Sequence, residues 1–118
     1  MSNIPHIIHY CWFGKNEKPK VAIECINTWK KYFPDWEIKE WNEDNYDLSG
    51  IQYVYDAYKL KKWAFVSDLV RLDILYRYGG IYLDIDVEFI RPLPSYFLEY
   101  KGFLGFEYTN TIAPGLIF

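Results

Sequence analysis

The sequence is short of cysteine, with only Cys11 and Cys25 among 118 residues. Neither sits in a Cys/His cluster with metal-ligand spacing, so a zinc site is excluded, and two thiols in apolar patterns give no disulfide framework. Buried free thiols in a reducing cytosol are expected. Charge of one sign is also lacking. Thirteen basic and sixteen acidic residues give a net charge of −3, spread without a basic stripe, so the electrostatic footprint of a nucleic-acid binder is missing. Lys59, Lys61 and Lys62 form a small cluster. It reads as a solvated helix start, with phosphate or membrane-surface contact as its second reading. Long apolar runs are absent too. Met1 to Pro5 carries no basic and apolar signal-peptide regions, and the longest uncharged stretch, Thr109 to Phe118, is too short to span a bilayer. The expectation is a protein without a transmembrane segment, cytoplasmic, with at most peripheral contact at the inner face of the membrane. No Gly-x-Gly-x-x-Gly, phosphate-loop lysine or Gly-x-Ser-x-Gly motif occurs, which removes those nucleotide-binding and hydrolase chemistries.

What is abundant is aromatic surface: 12 Tyr, 8 Phe and 5 Trp make up 21% of the chain. Flat rings build cores, and where exposed they suit sugar faces and nucleobases. The length is that of one ordinary domain. Ile4 to Phe13 is a nearly continuous apolar run ending at Gly14, the mark of a central, parallel strand. Val21, Ala22, Cys25, Ile26, Trp29 and Phe33 recur at helical spacing, which predicts an amphipathic helix over 19–32 that begins at Pro19. Residues 36–41 alternate as a half-exposed strand, 42–50 form a polar loop, and 51–58 a short helix. Leu60 to Tyr78 is apolar almost all round, which predicts a buried helix closed by a left-handed Gly79. Ile81 to Leu83 then reads as a buried strand running on into Asp84–Ile90. Arg91-Pro92-Leu93-Pro94 ends that run. Residues 102–106 and 112–118 read as further strands. Alternation of strand and helix makes the class α/β.

Three features carry chemistry. In a strand, residues i and i+2 point the same way, so Asp84 and Asp86 would crowd two carboxylates together. That repulsion falls if a divalent cation sits beside them, and hard oxygen ligands suit Mn²⁺ or Mg²⁺. The exit of a buried strand is also where open α/β sheets bind ligands. Alone, Asp-x-Asp is a weak pattern for which capping of a strand end is the commoner reading, and the apolar strand and Gly79-Gly80 before it shift the balance toward function. Asp68 and Arg71, three apart in an apolar helix, share a face. They form either a plain intrahelical ion pair or a pair of head groups facing a polar ligand, for which an arginine fork suits phosphate or sugar hydroxyls. Trp12, at the end of the first strand, is placed to stack on a nucleobase or to fill the core. His6 and His9 are offset by three, point to opposite faces, and read as satisfied structural histidines.

Read together, Ile7-Ile8-His9-Tyr10-Cys11-Trp12-Phe13-Gly14, then Ala64-Phe65-Val66-Ser67-Asp68-Leu69-Val70-Arg71, then Leu75 through Gly79-Gly80 to Asp84-Ile85-Asp86, resemble the sugar-binding-region glycosyltransferases that carry an Asp-x-Asp motif. That group includes initiating mannosyltransferases and capsular-polysaccharide transferases, and more distantly the clostridial glucosylating toxins. The resemblance covers residues 4 to about 94. It implies a GT-A fold, a Rossmann-like α/β sandwich, and transfer of a sugar from a nucleotide-diphosphate sugar to a glycan or other acceptor, generally with retention. By resemblance, Trp12 stacks on the base. Asp68 and Arg71 hold the donor sugar near its phosphates, and Tyr82 lines the same pocket. Asp84 touches ribose or sugar and a metal-bound water, and Asp86 binds the Mn²⁺ or Mg²⁺ directly.

One departure accompanies it. Residues 1–118 read as a single domain that stops inside an apolar run, on what looks like an unpaired strand, so the expectation is the N-terminal, donor-binding part of that fold. A non-catalytic nucleotide-sugar-binding fragment stays open beside the transferase. A metal-dependent hydrolase using Asp84, Asp86 and Glu88 ranks below both.

Overall fold

The computed structural model describes residues 5–91 in full, and the backbone alone of 104–108 and 111–117. The first strand, β1 (Ile7–Cys11), lies between two parallel neighbours, β2 (Glu37–Trp41) and β3 (Ile81–Leu83). Strand β3 pairs antiparallel with β5 (Thr111–Ile117), and β5 with β4 (Leu104–Tyr108), giving the order β2-β1-β3-β5-β4. The expected central parallel strand is therefore β1. The apolar run around residues 112–118 is not an unpaired strand, because β5 has a neighbour on both sides.

From β1 the chain steps one way to β2 through α1 (Lys20–Tyr32). From β2 it steps back past β1 to β3 through a 3-10 turn at Leu48–Gly50, α2 (Gln52–Lys59) and α3 (Trp63–Tyr78). Right-handed crossovers in opposite directions put their helices on opposite faces of the sheet. The core divides accordingly. Ile8, Tyr10, Ile81 and Leu83 pack with Ile26, Trp29 and Phe33 on the α1 face. Cys11 and Tyr82 pack with Val54, Ala57, Val66, Val70 and Ile74 on the α2–α3 face. Alternation along β3 sends Tyr82 to one layer and its neighbours to the other.

Several expectations are corrected. Helix α3 is not buried all round: Val66, Val70, Arg71 and Ile74 face the core, whereas Phe65, Leu72, Tyr76 and Tyr78 are exposed. It also begins at Trp63, not Leu60, because Lys61 takes a positive φ and breaks the run from α2. Pro19 is the residue before the first turn of α1, with extended ψ. Gly79 closes α3 with φ 67° and ψ −160°, which is the extended positive-φ region open essentially to glycine and not the left-handed helical cap. The prolines expected to end the Asp84–Ile90 run lie outside the described residues. Among the described residues no helix is long and apolar enough to cross a membrane.

Candidate active site at the ends of β1 and β3

Open α/β sheets bind ligands outside the carboxyl ends of their parallel strands, and here the crevice lies at the carboxyl ends of the paired strands β1 and β3. A cavity of about 410 Å³ lies there, walled by Cys11, Trp12 and Phe13 on one side and by Tyr82, Asp84 and Asp86 on the other. Helix α3 supplies Ala64, Ser67, Asp68 and Arg71, and α1 closes the rim with Val21 and Ala22. All six residues singled out from the sequence, Trp12, Asp68, Arg71, Tyr82, Asp84 and Asp86, line this one cavity.

Arg71 is the organising residue. It is only 4% exposed, and its Nη2 donates to Asp68 Oδ1 at 2.6 Å and lies 3.2 Å from Asp84 Oδ1. Its guanidinium carbon stands 4.8 Å from the centre of the Tyr82 ring, within cation–π range. The helical pair and the ligand-facing arrangement are thus not alternatives. The pair forms, and the same head group reaches across to the end of β3. Burial raises the Asp84 carboxyl above its ordinary range; Arg71 opposes the shift, and Asp86 and Asp68 add to it. The Tyr82 hydroxyl lies beside both the Asp84 carboxyl and the Cys11 thiol. Burial pushes that thiol up to about 12, which makes Cys11 a wall residue, not a nucleophile.

Strand alternation does not place the two acids. Strand β3 ends at Leu83, and Asp84-Ile85-Asp86 forms a turn closed by Val87 N–H donating to Asp84 O at 3.1 Å. The turn still brings both carboxylates to the cavity, Asp84 half-buried against Arg71 and Asp86 at the exposed mouth. Among the described residues no three His, Cys, Asp or Glu side chains gather to hold a metal. Two carboxylates at an open mouth do match the way Mg²⁺ and similar hard cations are held, by one or two acids with substrate phosphates and water filling the shell. The donor set therefore fits Mn²⁺ or Mg²⁺. Glu88 is exposed and does not line the cavity, so the three acids of the hydrolase reading are not brought together.

Trp12 is half-buried, its indole N–H donating to Asn16 O at 2.7 Å. One part of it packs on the α1-side core and the rest faces the cavity. His6 stacks on Trp36 at 4.5 Å, and His9 is buried with both ring nitrogens bonded, as structural histidines should be. Both thiols are free and buried. Sequence reasoning overlooked Ser67 and Trp63. Ser67 was legible, since Ala64, Ser67, Asp68 and Arg71 repeat at helical spacing. Trp63 was not, because only the fold lays its ring over Gly14, where an added Cβ would lie 2.8 Å from the indole.

The pattern of the glycosyltransferase sugar-binding region containing a DXD motif matches residues 19–103. Two curated relatives come from Schizosaccharomyces pombe. Inositol phosphoceramide mannosyltransferase 3 is 35% identical over 96 residues, 76% of this chain and 26% of the relative. Inositol phosphoceramide mannosyltransferase 1 is 29% identical over 102 residues, 79% of this chain and 31% of the relative. The chain thus spans about a third or less of the relatives it matches. Among solved structures, PaToxG glycosyltransferase superposes with a TM-score of 0.58 at 23% identity, over 76% of this chain and 45% of that one. This is a likeness of fold, the GT-A arrangement with its parallel β2-β1-β3 core. With the Asp84-Ile85-Asp86 turn, the Asp68/Arg71 helix and the Trp12 strand end converging on one cavity, the chain belongs to the DXD-containing sugar-binding-region glycosyltransferases.

Proposed function

We propose that this domain transfers a sugar from a nucleotide-diphosphate sugar to a hydroxyl of a glycan or other acceptor, using a divalent cation and with retention at the anomeric carbon. One observation carries the reading: Arg71, buried and held by Asp68 and Asp84, forms the cationic floor of a cavity with Asp86 at its mouth. Such a floor is held in place before any substrate arrives. A fixed cation in a site screened from water stabilises developing negative charge better than one that must reorganise. In the reaction the acceptor oxygen bonds the anomeric carbon, the bond to the diphosphate oxygen breaks, the acceptor hydroxyl's proton passes to that departing oxygen, and the negative charge left on the diphosphate falls near Arg71.

The roles follow from placement. Trp12 offers a ring for the base, Asp68 and Tyr82 shape the sugar end, and Asp84 is orientated by Arg71. Asp86 and Asp84 would hold Mn²⁺ or Mg²⁺, whose chemistry when bound is neutralisation of the leaving diphosphate. Synthesis of capsular or cell-surface polysaccharide on the cytoplasmic side of a membrane is the setting we infer. The test is donor hydrolysis and transfer with and without Mn²⁺, repeated in Asp86→Ala. Cation-dependent turnover lost in the variant supports the reading, and full activity in a chelator would falsify it. Donor binding with no turnover in any metal would instead identify a nucleotide-sugar-binding unit.

A further inference from the structure

A second cavity, also about 410 Å³, adjoins the first and is lined by Gly14, Lys15, Asn16, Tyr58, Lys59, Lys61 and Trp63. The two share Asn16 and Trp63. Among the described residues no acid lines the second. Among the described residues, two non-glycine residues take a positive φ, Lys15 and Lys61, each at 59°, and both line this cavity. That conformation is costly for any side chain with a Cβ.

Lys61 occupies a position that normally takes glycine. Lys62 N–H donates to Ala57 O at 3.0 Å and Lys61 N–H to Tyr58 O at 2.9 Å, which is the bonding of a Schellman cap with Lys61 at its left-handed site. The end of α2 favours a nearby cation. It does not ask for one at the strained position, since Lys59 already stands in the last turn. Lys15 has no helix end to explain it. The nearby acids are largely engaged. Glu43 accepts from Gly14 N–H at 2.7 Å and from the Tyr58 hydroxyl at 2.9 Å, and Asp44 pairs with Lys15 at 3.0 Å across an exposed contact. Lys61 and Lys62 have no ion pair among the described residues. Lys15, Lys59 and Lys61 on its walls give the cavity a local positive excess in a chain that is negative overall.

We propose that this cavity is a phosphate-ester subsite, in which Lys15, Lys59 and Lys61 take up the phosphate of a ligand separated from the donor by Trp63. The idea rests on the proposed function only for which cavity is the donor's. The phosphate comes either from a soluble ester or from a lipid headgroup, and Leu60, 68% exposed between two of the lysines, supplies an apolar contact for the latter.

The test is an NMR titration of the whole chain with inorganic phosphate. Saturable shifts are expected at the amides of Gly14 to Asn16 and Lys59 to Trp63, and not at Arg71 or Asp84. The double variant Lys15→Gly/Lys61→Gly removes both ammonium groups while relieving the strained backbone, so its fold is safe. Its phosphate affinity should fall by at least about tenfold. Sedimentation with vesicles of phosphatidylcholine, alone or with phosphatidylglycerol, separates the sources. Binding to anionic vesicles only, lost in the variant, assigns a headgroup, whereas no vesicle binding assigns a soluble ester. Absence of phosphate shifts, shifts confined to Arg71 and Asp84, or unchanged affinity in the variant overturns the proposal. None of these readouts depends on sugar transfer, so a failed transfer assay leaves them intact.

Discussion

The same Arg71 nitrogen serves two carboxylates on different elements, 2.6 Å from Asp68 of its own helix and 3.2 Å from Asp84 at the end of β3. The sharing is unequal in burial as well as distance: the Arg71 side chain is 5% exposed, Asp68 57% and Asp84 31%. Burial disfavours the ionised form of Asp84, and its raised pKa records that burial outweighs the arginine.

The consequence for stability has a definite sign. Asp84 binds its proton more tightly folded than unfolded, so its contribution is fully present below the unfolded value and is lost as pH rises through the folded one. At neutral pH the charge is a burden that Asp84→Asn removes, while Asp68 still pairs with Arg71. The variant should gain about 0.5–2 kcal/mol in urea unfolding and lose cation-dependent transfer. A destabilised variant would mean that the Arg71 bond outweighs desolvation. Arg71→Met, by contrast, strips Asp84 of its partner and should cost about 1–3 kcal/mol, less than a fully buried pair because both acids reach water.

Trp12 tests whether the cavity takes a base. Stacking on an aromatic ring contributes about 1–3 kcal/mol per base, so Trp12→Ala should weaken nucleotide binding by roughly five- to 150-fold. Calorimetry with nucleoside diphosphate reads this directly. An unchanged affinity with a lowered melting temperature would return Trp12 to the core that it also touches.

Much of this arrangement is legible in the sequence. Gly79-Gly80 marked the sharp return from α3 into β3, and the apolar run through Cys11 marked the central strand, so the crevice between β1 and β3 followed from topology. What sequence could not show was the path of the chain after Leu83. Period-two alternation carries on through Asp84-Ile85-Asp86 and Val87, and a reader of pattern continues the strand. The backbone instead turns, because the Val87 N–H bonds Asp84 O and the Val87 carbonyl accepts from the Trp29 indole at 2.7 Å, 58 residues away. Contacts of that separation leave no local signal. The exposed side of α3 was hidden for a similar reason: Leu72 and Tyr76 read as core by composition, yet they lie opposite the face that meets the sheet.

His9 should make stability depend on pH in the opposite sense to Asp84. The Trp41 indole N–H donates to Nδ1 at 3.0 Å, so Nε2 carries the hydrogen and donates to Gly79 O at 2.8 Å. Protonation would set an N–H against the indole N–H, and burial first of all lowers the pKa from its ordinary 6.5. The unfolded chain therefore binds the proton more readily. This contribution is fully present above 6.5 and is lost as pH falls through the lower folded value. Urea midpoints taken between about pH 8 and 5 should fall on the acid side in the parent, and less in His9→Gln. Equal slopes in the two proteins would remove His9 from the account.

Gly80 is the position least able to accept a side chain. It has φ 91°, and an added Cβ would sit 2.6 Å from the Ile7 carbonyl oxygen and 3.2 Å from His9 Nε2. The nearer atom is backbone of β1, whose Ile8 is registered with Ile81, so it cannot move without opening the parallel pair. A positive-φ alanine costs about 1–3 kcal/mol in backbone strain, and displacement of β1 adds to it. Gly80→Ala should therefore lose at least about 2 kcal/mol. Because β1 and β3 carry Trp12 and Asp84 to the cavity, nucleotide affinity should fall with it. Gly50→Ala, where nothing lies within 4 Å of the added carbon, is the matched control and should leave both unchanged. Equal loss in the two variants would show a general intolerance of alanine, and the close approach of β3 to β1 would not then be the cause.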